Sequence, residues 1–334
     1  MKYLLLTSVL ISLSLFAGLA QEIPSVDAVK IWDRAPHNAF PDMIRYRGEF
    51  YIALREGNDH MPDNSGAIRI IKSKDGKNWQ PVGLLEKRDM DVREARLSIT
   101  PDGRIMVLTA VGVYEKGYTT LYPMVSFSDS HGENFTALQK VTVDLPSSLD
   151  WIWSLTWHKG TGYGILYQIK PSGWEVHLLE TSDGIHFDHL SQLPIDGNPN
   201  EATIRFDNKG KMFVLVRREA GDRMGVLAKS DYPYVDWTTS KLTKRLGGPN
   251  FLFLNMSTLV IGSREYRDTG SKTAIHITDV DGTIKRTIEL SSGGDTSYPG
   301  MVFYKKNLWI AYYSSHRGKT SIYLSKIPMN ALKK

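Results

Sequence analysis

The chain has 334 residues, carries a formal net charge of +5 and contains no cysteine. The absence of cysteine excludes disulfide bonds, cysteine catalysis, thiolate metal sites and a lipid anchor attached to cysteine. The positive charge is mild and spread along the chain without a block of lysine and arginine, which argues against nucleic-acid binding.

The N-terminus has the pattern of a secretory signal peptide. An apolar run spans Tyr3–Leu19, and Gly18 and Ala20 are the small residues of a cleavage site. The run is too short for a membrane span, and a polar chain follows it. We therefore expect a signal peptide over residues 1–20, one mature domain over residues 21–334, and a secreted or periplasmic protein without a membrane span.

A short turn motif recurs along the chain. Residues 73–79 and 181–187 both read Ser or Thr, any residue, Asp, Gly, two residues and an aromatic. In such a turn the Asp accepts hydrogen bonds from backbone N–H groups and the Gly takes a positive φ. Weaker copies complete a set of six markers at intervals of 47 to 55 residues, namely Ser73, Ser126, Thr181, Ser230, Thr278 and Ser325. This regular spacing indicates six structural units.

Each unit reads as two β-hairpins. In the first unit the strand segments are 41–47, 50–55, 67–72 and 79–85, separated by turns that contain Gly or Asp. No segment has a sustained helical period. The sequence therefore predicts an all-β, six-bladed β-propeller of four-stranded antiparallel blades. The last unit offers three strands, and we expect residues 28–32 to supply the fourth and so remove an exposed edge.

Polar and aromatic residues cluster at the expected starts of the channel strands and in the loops that follow them. Tryptophan and tyrosine faces stack on sugar rings, and arginine forks fit carboxylates, so this composition predicts a carbohydrate site. Buried arginine–glutamate pairs in the same segments also fit a purely structural role. The candidate residues are Arg55, Asp63, Arg93, Trp153, Glu201, Arg217, Asn250, Arg264 and Tyr298.

The chain resembles the sialidase (neuraminidase) superfamily of six-bladed propellers over residues 28–329. The order of motifs carries the resemblance. Glu201 opens a central blade, Arg217 closes the same hairpin, and a turn over residues 230–237 follows. Tyr298 stands at the start of the last blade, where the family has its nucleophilic tyrosine.

The resemblance implies a sialidase-like exo-glycosidase that hydrolyses a terminal acidic sugar from a glycan. Tyr298 would be the nucleophile, Glu201 its base, and Asp63, in a loop before the first Asp turn, the acid/base. Arg217 and Arg264 would hold the acidic group of the sugar. We expect a monomer without a cofactor, and no His/Asp cluster has metal-ligand spacing in the sequence.

One segment departs from the family pattern. The first channel strand, residues 38–42, lacks the first arginine of the carboxylate-binding triad. Arg93, on the neighbouring channel strand, is predicted to complete an anion pocket of altered shape, and Arg55 is another supplier of a guanidinium. The pocket is then expected to accept an acidic sugar other than sialic acid, or to accept sialic acid poorly.

Two other functions remain open at this point. A propeller lyase that acts on uronic-acid glycans would use a tyrosine with His60, His158 or His316. A non-catalytic glycan-binding propeller would keep the fold and release no product. Product analysis separates the three, because only a lyase gives an unsaturated, ultraviolet-absorbing sugar.

Overall fold

The computed structural model describes residues 26–333. They form six β-sheets, with one short helix near the C-terminal end of the described chain. The predicted all-β, six-bladed propeller is confirmed. The predicted signal peptide, residues 1–20, lies outside the described residues. Within residues 26–333, no helix has the length and apolar character needed to cross a membrane.

The first three blades follow the chain from the inner strand outward. Their strands, with the N-terminal strand, are β1 Ala28–Trp32, β2 His37–Tyr46, β3 Glu49–Gly57, β4 Ala67–Ser73, β5 Gln80–Leu85, β6 Asp91–Ile99, β7 Ile105–Tyr114, β8 Tyr118–Phe127, β9 Gln139–Lys140, β10 Thr142–Val143, β11 Leu149–His158, β12 Thr161–Ile169, β13 Glu175–Thr181 and β14 His186–Gln192. Strands β2–β5, β6–β9 and β11–β14 form blades one to three, and β10 extends the third blade by pairing in parallel with β14.

The last three blades continue the same order. Their elements are β15 Pro199–Phe206, β16 Met212–Arg218, β17 Met224–Ser230, β18 Thr238–Arg245, β19 Asn250–Asn255, β20 Thr258–Glu265, β21 Lys272–Asp279, β22 Ile284–Glu289, β23 Thr296–Tyr304, β24 Asn307–Ser314, β25 Ser321–Pro328 and the helix α1 Met329–Leu332. Strands β15–β18 and β19–β22 form blades four and five. The sixth blade has the order β23, β24, β25, β1.

The N-terminal strand closes the ring. Strand β1 pairs antiparallel with β25, so residues 28–32 supply the fourth strand of the last blade as the sequence predicts. Trp32 is 4% exposed, and its Nε1 donates a hydrogen bond to Glu56 Oε1 at 2.8 Å. Because Glu56 belongs to β3, the same segment also ties the last blade to the first.

The repeated turns join the third and fourth strands of the blades. Asp75 Oδ1 accepts hydrogen bonds from the backbone N–H groups two and three residues later, at 2.8 and 2.9 Å, and Gly76 has a φ of 72°. Asp183 repeats the arrangement at 2.7 and 2.9 Å. The six markers found in the sequence all lie in third strands, so the sequence spacing reports the spacing of the blades.

The inner strands of four blades share one irregularity. In β2, β6, β15 and β23 two residues oppose a single residue of the second strand, which makes a β-bulge. The first bulged residue has a left-handed backbone, with φ of 53° at Phe40, 57° at Glu94, 39° at Glu201 and 54° at Tyr298. Glycine is the usual residue in this conformation, and another side chain there costs about 1–3 kcal/mol. Such bulges re-aim side chains next to active sites.

Removing β1 is expected to destabilise the propeller. A chain that starts at Ala35 loses the buried Trp32 ring and leaves β25 as an unpaired edge, which should cost roughly 3–5 kcal/mol and promote association. Urea unfolding and size-exclusion chromatography measure the two effects. A chain that starts at Ser25 keeps β1 and serves as the control. Equal unfolding midpoints for the two chains would show that β1 does not stabilise the ring.

Candidate active site

Tyr298 and Glu201, termed the central pair below, meet at the centre of the ring. The Tyr298 hydroxyl donates a hydrogen bond to Glu201 Oε1 at 2.5 Å, and each residue is 5% exposed. Arg217 Nη1 donates to the same carboxylate oxygen and lies 3.4 Å from the Tyr298 hydroxyl. The backbone N–H of Gly248 donates to Glu201 Oε2 at 2.8 Å. Blades four, five and six therefore each contribute a group to one hydrogen-bonded cluster.

Gly248 allows the fifth blade to approach the tyrosine ring. Its φ is 60°, and a Cβ at this position would lie 2.4 Å from Tyr298 Cδ2. A larger residue would therefore be strained in its backbone and would collide with the ring. The glycine thus brings its N–H to Glu201 and leaves room for the phenol beside the same carboxylate.

The surroundings give the central pair different protonation states. Burial raises the pKa of the Tyr298 phenol well above its ordinary value, and the charges of Glu201 and Glu94 raise it further against the opposing effect of Arg217. Burial also favours the neutral form of Glu201, but the Arg217 charge and the hydrogen bonds from Arg217, Tyr298 and Gly248 prevail, so the pKa of Glu201 is lowered. A neutral phenol therefore lies against an ionised carboxylate.

A second carboxylate, Glu94, occupies the equivalent bulge in blade two. Glu94 is 6% exposed, and its Oε1 accepts from Arg93 Nε at 3.2 Å. Burial raises the pKa of Glu94, and the Glu201 charge adds to this against the attraction of Arg93. In the sequence Glu94 stands in a candidate channel segment, where the Arg93–Glu94 pair also fits a structural role. The sequence contains a signal that Glu94 and Glu201 occupy equivalent positions, because Glu94-Ala95 and Glu201-Ala202 are the same dipeptide at the same place in two blades.

Arg93 is engaged by protein groups on every nitrogen of its guanidinium. Its Nε donates to Glu94, its Nη1 to Asp91 Oδ2 at 3.2 Å and its Nη2 to the backbone oxygen of His60 at 3.2 Å. The Arg93 side chain is 6% exposed. The structure thus places Arg93 beside the central pair, with both neighbouring carboxylates offsetting its charge.

Arg264 lies on the opposite wall and is also anchored by protein atoms. Its Nε donates to the Thr296 backbone oxygen at 2.8 Å, and its Nη2 donates to the Tyr313 hydroxyl at 2.9 Å. The Asp295 carboxylate is 3.8 Å from the same Nη2. The three guanidiniums predicted to form an anion pocket therefore all have partners inside the protein, and the role of Arg93, Arg217 and Arg264 in binding an acidic group stays a prediction.

Asp63 lies at the edge of the site. Its Oδ2 accepts from Asn58 Nδ2 at 2.7 Å and its Oδ1 from the Ser65 hydroxyl at 2.7 Å, while Arg55 Nη2 is 3.7 Å away. Burial favours the neutral acid, but these hydrogen bonds and the Arg55 charge prevail and lower the pKa of Asp63. Within residues 26–333, no hydrogen bond joins Asp63 to the central pair. Its predicted acid/base role stays a prediction that this geometry does not favour.

Arg55 lies underneath the site rather than in its wall. The residue is 0% exposed, its Nε and Nη2 donate to Asp91 Oδ1 at 3.0 and 2.7 Å, and its Nη1 donates to the Asp59 backbone oxygen. Through the Asp59 backbone oxygen, Arg55 supports the loop that carries Asp63. Through Asp91, Arg55 also holds a partner of Arg93. Direct contact with substrate, as we expected from the sequence, would require this buried ion pair to separate.

Trp153 and Asn250 pack around the central pair from blades three and five. The Trp153 ring centroid is 5.7 Å from that of Tyr298, and Arg96 covers the indole at 4.3 Å. Asn250 Nδ2 donates to the Pro299 backbone oxygen at 3.1 Å. Since Trp153 is 1% exposed and Asn250 is 6% exposed, both hold the channel wall in this structure, and the predicted contact with sugar stays a prediction.

A His–Asp–His cluster occupies the part of the channel wall where the first triad arginine is missing. His37 Nε2 and His60 Nδ1 lie 3.0 and 2.8 Å from Asp295 Oδ2, and the three ligand atoms are within 4.8 Å of one another. Within residues 26–333, these three residues are the one group of histidines and carboxylates close enough together to hold a divalent cation. The fit is poor, because Arg264 lies 3.8 Å from the carboxylate and His37 Nδ1 lacks the hydrogen-bond acceptor that a metal-bound histidine usually has. The expectation of no metal stays a prediction.

The histidines considered for a lyase are scattered. His60 lies beside the channel with its ring centroid 5.2 Å from that of Phe40, which in turn contacts Tyr298. His158 stacks on Phe206 at 4.1 Å. His316 lines a cavity of about 710 Å³ on the fifth and sixth blades, away from the central pair. Of the three, His60 is the one near Tyr298, whereas His316 packs on Tyr323 with ring centroids 4.7 Å apart.

Breaking the buried Arg217–Glu201 ion pair should destabilise the fold as well as the site. Arg217→Met leaves the Glu201 carboxylate without its counter-charge, which should cost roughly 3–5 kcal/mol. In the double variant Arg217→Met/Glu201→Gln the buried charge is removed, so we expect part of that stability to return. Urea unfolding of the single and double variants measures the difference. A double variant that loses the sum of both single losses would show that the pair is not coupled.

The chain is similar in fold to several solved structures, but not in sequence to a known family. No protein-family model matches the chain, and no curated protein matches it by sequence. A solved structure of an unknown-function protein from Dyadobacter fermentans DSM 18053 is similar with a TM-score of 0.80 and 19% identity, over 92% of this chain and all of that one.

Two further solved structures are similar to most of this chain. A Trypanosoma rangeli sialidase in complex with the inhibitor DANA has a TM-score of 0.72 and 11% identity over 90% of this chain, which spans 56% of that protein. The GH93 α-L-arabinofuranosidase of Fusarium graminearum with arabinobiose has a TM-score of 0.66 and 13% identity, over 92% of this chain and 99% of that one. At these identities the likeness shows a shared propeller fold.

Proposed function

We propose that the protein is a glycoside hydrolase that removes a terminal sugar from a glycan, with Tyr298 as nucleophile and Glu201 as its base. The observation that carries the proposal is the 2.5 Å hydrogen bond from the buried phenol to the buried carboxylate. A nucleophile in contact with a base, and a base oriented by a third group, is the usual arrangement for covalent catalysis. Arg217 is the orienting group.

The first chemical step follows from this geometry. As the Tyr298 oxygen forms a bond to the anomeric carbon, its proton passes to Glu201, which is already the hydrogen-bond acceptor. The raised pKa keeps the phenol neutral until attack, so the base is required. Displacement by Tyr298 and a second displacement by water together retain the anomeric configuration.

The likeness to solved glycosidases supports a sugar-hydrolysing propeller in general. The Trypanosoma rangeli protein is a sialidase and the Fusarium graminearum protein is an α-L-arabinofuranosidase, so this fold accommodates both an acidic and a neutral sugar. The substrate of this chain is therefore argued from its own residues. Export through the predicted signal peptide, which would bring the enzyme to extracellular glycans, and a monomeric state are part of the proposal.

The pairing of Arg93 and Arg217 with protein carboxylates favours a neutral terminal sugar, whereas Arg264 and Arg96, which have no carboxylate of residues 26–333 within hydrogen-bond distance, act in the opposite direction. An acidic sugar needs guanidinium donors that are free of protein carboxylates. Arg93 is bonded to Glu94 and Asp91, and Arg217 to Glu201 and Glu219. A carboxylate brought into this site would meet these acidic groups, whereas sugar hydroxyls can donate hydrogen bonds to them.

Two conservative substitutions test the nucleophile and its base. Tyr298→Phe removes only the phenol oxygen, and Glu201→Gln removes only the basic oxygen, so each should lower kcat by roughly 10²–10⁴-fold while the protein still folds. The assay is release of nitrophenol from a panel that includes the nitrophenyl α-L-arabinofuranoside, other neutral glycosides, a uronide and a sialoside. Near-normal turnover in both variants would refute the assignment, and an unsaturated product would indicate a lyase.

The role of Arg93 distinguishes an acidic from a neutral sugar. If Arg93 is a structural partner of Glu94 and Asp91, Arg93→Ala should weaken turnover of a carboxylated glycoside and of its reduced, neutral analogue by the same factor. Steady-state kinetics on the two analogues gives the ratio. A selective loss of the carboxylated glycoside, corresponding to about 2–5 kcal/mol, would instead support the anion pocket predicted from the sequence.

A further inference from the structure

The hydrolysis proposed above needs a proton donor for the leaving glycosidic oxygen, and two carboxyl groups outside the central pair compete for that role. The family resemblance implies Asp63, and Glu94 is the second buried glutamate of the channel. A general acid must carry a proton at working pH and must have an oxygen free to present it to the substrate. The two residues differ in both respects.

Glu94 lies on an inner strand of the ring, near the reacting groups. It sits in a bulge of β6 equivalent to the bulge of β15 that carries Glu201, and its left-handed backbone matches that of Glu201 and Tyr298. Its partner Arg93 lies 5.0 Å from the centroid of the Phe40 ring, and that ring lies 4.9 Å from the Tyr298 ring. Arg96, on the same strand, lies 5.8 Å from the Tyr298 ring centroid. The second glutamate therefore lies within the same channel centre as the nucleophile.

One carboxylate oxygen of Glu94 is free. Arg93 contacts Oε1 through Nε and Nη2, both at 3.2 Å, and Oε2 has no hydrogen-bond partner within residues 26–333. In Asp63, by contrast, Asn58 and Ser65 bind one oxygen each at 2.7 Å. Protonating Asp63 would weaken these bonds, whereas a proton on Glu94 Oε2 would leave its bond to Arg93 in place.

The pKa values of Glu94 and Asp63 also differ in the direction that favours Glu94 as the proton donor. The pKa of Glu94 is raised by burial and by Glu201 against the opposing charge of Arg93, while the pKa of Asp63 is lowered by its hydrogen bonds despite partial burial. Two channel carboxyls with pKa values pushed in opposite directions, here Glu94 up and Glu201 down, mark an acid and a base. The charged or titratable groups that act on Glu94, or on which it acts, are Arg93, Arg96, His60, Glu201, Tyr118, Tyr167, Tyr298 and Tyr313.

We propose that Glu94 is the catalytic acid/base of this site. This assignment rests on the proposed glycosidase function. In the first step the Glu94 carboxyl gives its proton to the glycosidic oxygen, which takes the electron pair of the breaking C–O bond, while Tyr298 bonds to the anomeric carbon and passes its own proton to Glu201.

The second step returns every group to its starting state. The Glu94 carboxylate removes a proton from water, the water oxygen bonds to the anomeric carbon, and the bond from that carbon to the Tyr298 oxygen breaks. Glu201 then returns its proton to the phenolate. Glu94, Glu201 and Tyr298 are regenerated, and one water is consumed for each sugar released.

The test uses aryl glycosides of the sugar that the panel selects, with dinitrophenyl, nitrophenyl and phenyl leaving groups. Dinitrophenolate leaves without protonation, whereas phenol needs a proton donor. Glu94→Gln should therefore reduce kcat/KM, which reports the first step, by less than about tenfold for the dinitrophenyl glycoside and by roughly 10²–10⁴-fold for the phenyl glycoside. At saturating dinitrophenyl glycoside the second step should limit turnover, because that step has lost its base. Azide should accelerate the variant and yield a glycosyl azide of retained configuration.

Two further variants separate the assignments. Tyr298→Phe should lose activity on every leaving group, because it blocks bond formation rather than protonation. Asp63→Asn should change all three aryl glycosides by a similar factor. A leaving-group dependence in Asp63→Asn but not in Glu94→Gln would overturn the assignment of Glu94 and leave the proposed hydrolase standing. Failure of the wild-type protein to release sugar from any glycoside would reject the hydrolase, and the Glu94 assignment with it.

The wild-type protein provides a measurement that does not depend on folding of a variant. Glu94 donates a proton only while it is protonated, so turnover of the phenyl glycoside should fall as the pH rises through its raised pKa. Turnover of the dinitrophenyl glycoside should not show this alkaline fall. If turnover of both substrates fell in the same way at high pH, proton donation by Glu94 would be contradicted.

Discussion

The buried charge of Glu201 is the constraint on which the centre of this propeller depends. A carboxylate that is 5% exposed is stable only if nearby charges and hydrogen-bond donors replace water. Blade four supplies Arg217, blade five the N–H of Gly248 and blade six the Tyr298 hydroxyl. The same bonds that stabilise the charge orient the phenol against the carboxylate, so the stability of the fold and the proposed chemistry share one set of contacts.

The strained inner strands explain why the site needs a closed ring. Four blades hold a residue other than glycine in the left-handed region at the bulge, and each such residue costs free energy. An isolated hairpin would relax this strain by shifting register. Here neighbouring blades contact three of these residues: Phe40 packs on Tyr298, Tyr298 packs on Trp153, and Glu201 accepts from Tyr298 and Gly248. Strand β1 completes the last blade and closes the ring.

The first inner strand lacks the arginine of the sialidase pattern, and a cluster of two histidines and one aspartate lies beside it. His37 stands near the start of that inner strand, and with His60 it binds Asp295, a carboxylate whose pKa is lowered by hydrogen bonds from both histidines despite burial. Asp295, which precedes the inner strand of the sixth blade, thus adds an acidic group next to the first blade. The Asp295 cluster and the carboxylates that pair with Arg93 are the basis on which we propose a sugar recognised through its hydroxyl groups.

The sequence by itself determined the features that depend on local chemistry. The Asp-Gly turns, the strand alternation and the spacing of six markers predict six blades, and the three-strand last unit predicts that residues 28–32 close the ring. The sequence order also placed Glu201, Arg217 and Tyr298 at one site. The tertiary structure decided which charged groups face one another, because burial and pairing depend on residues from blades that are distant in the chain.

Only those contacts show that Asn58 and Ser65 satisfy Asp63, that Asp91 holds Arg55 below the channel, and that Glu94 is a second central carboxylate. The bulges are equally a product of assembly. A residue inserted in a strand changes the face on which each side chain lies, and an alternating pattern does not reveal where the insertion occurs.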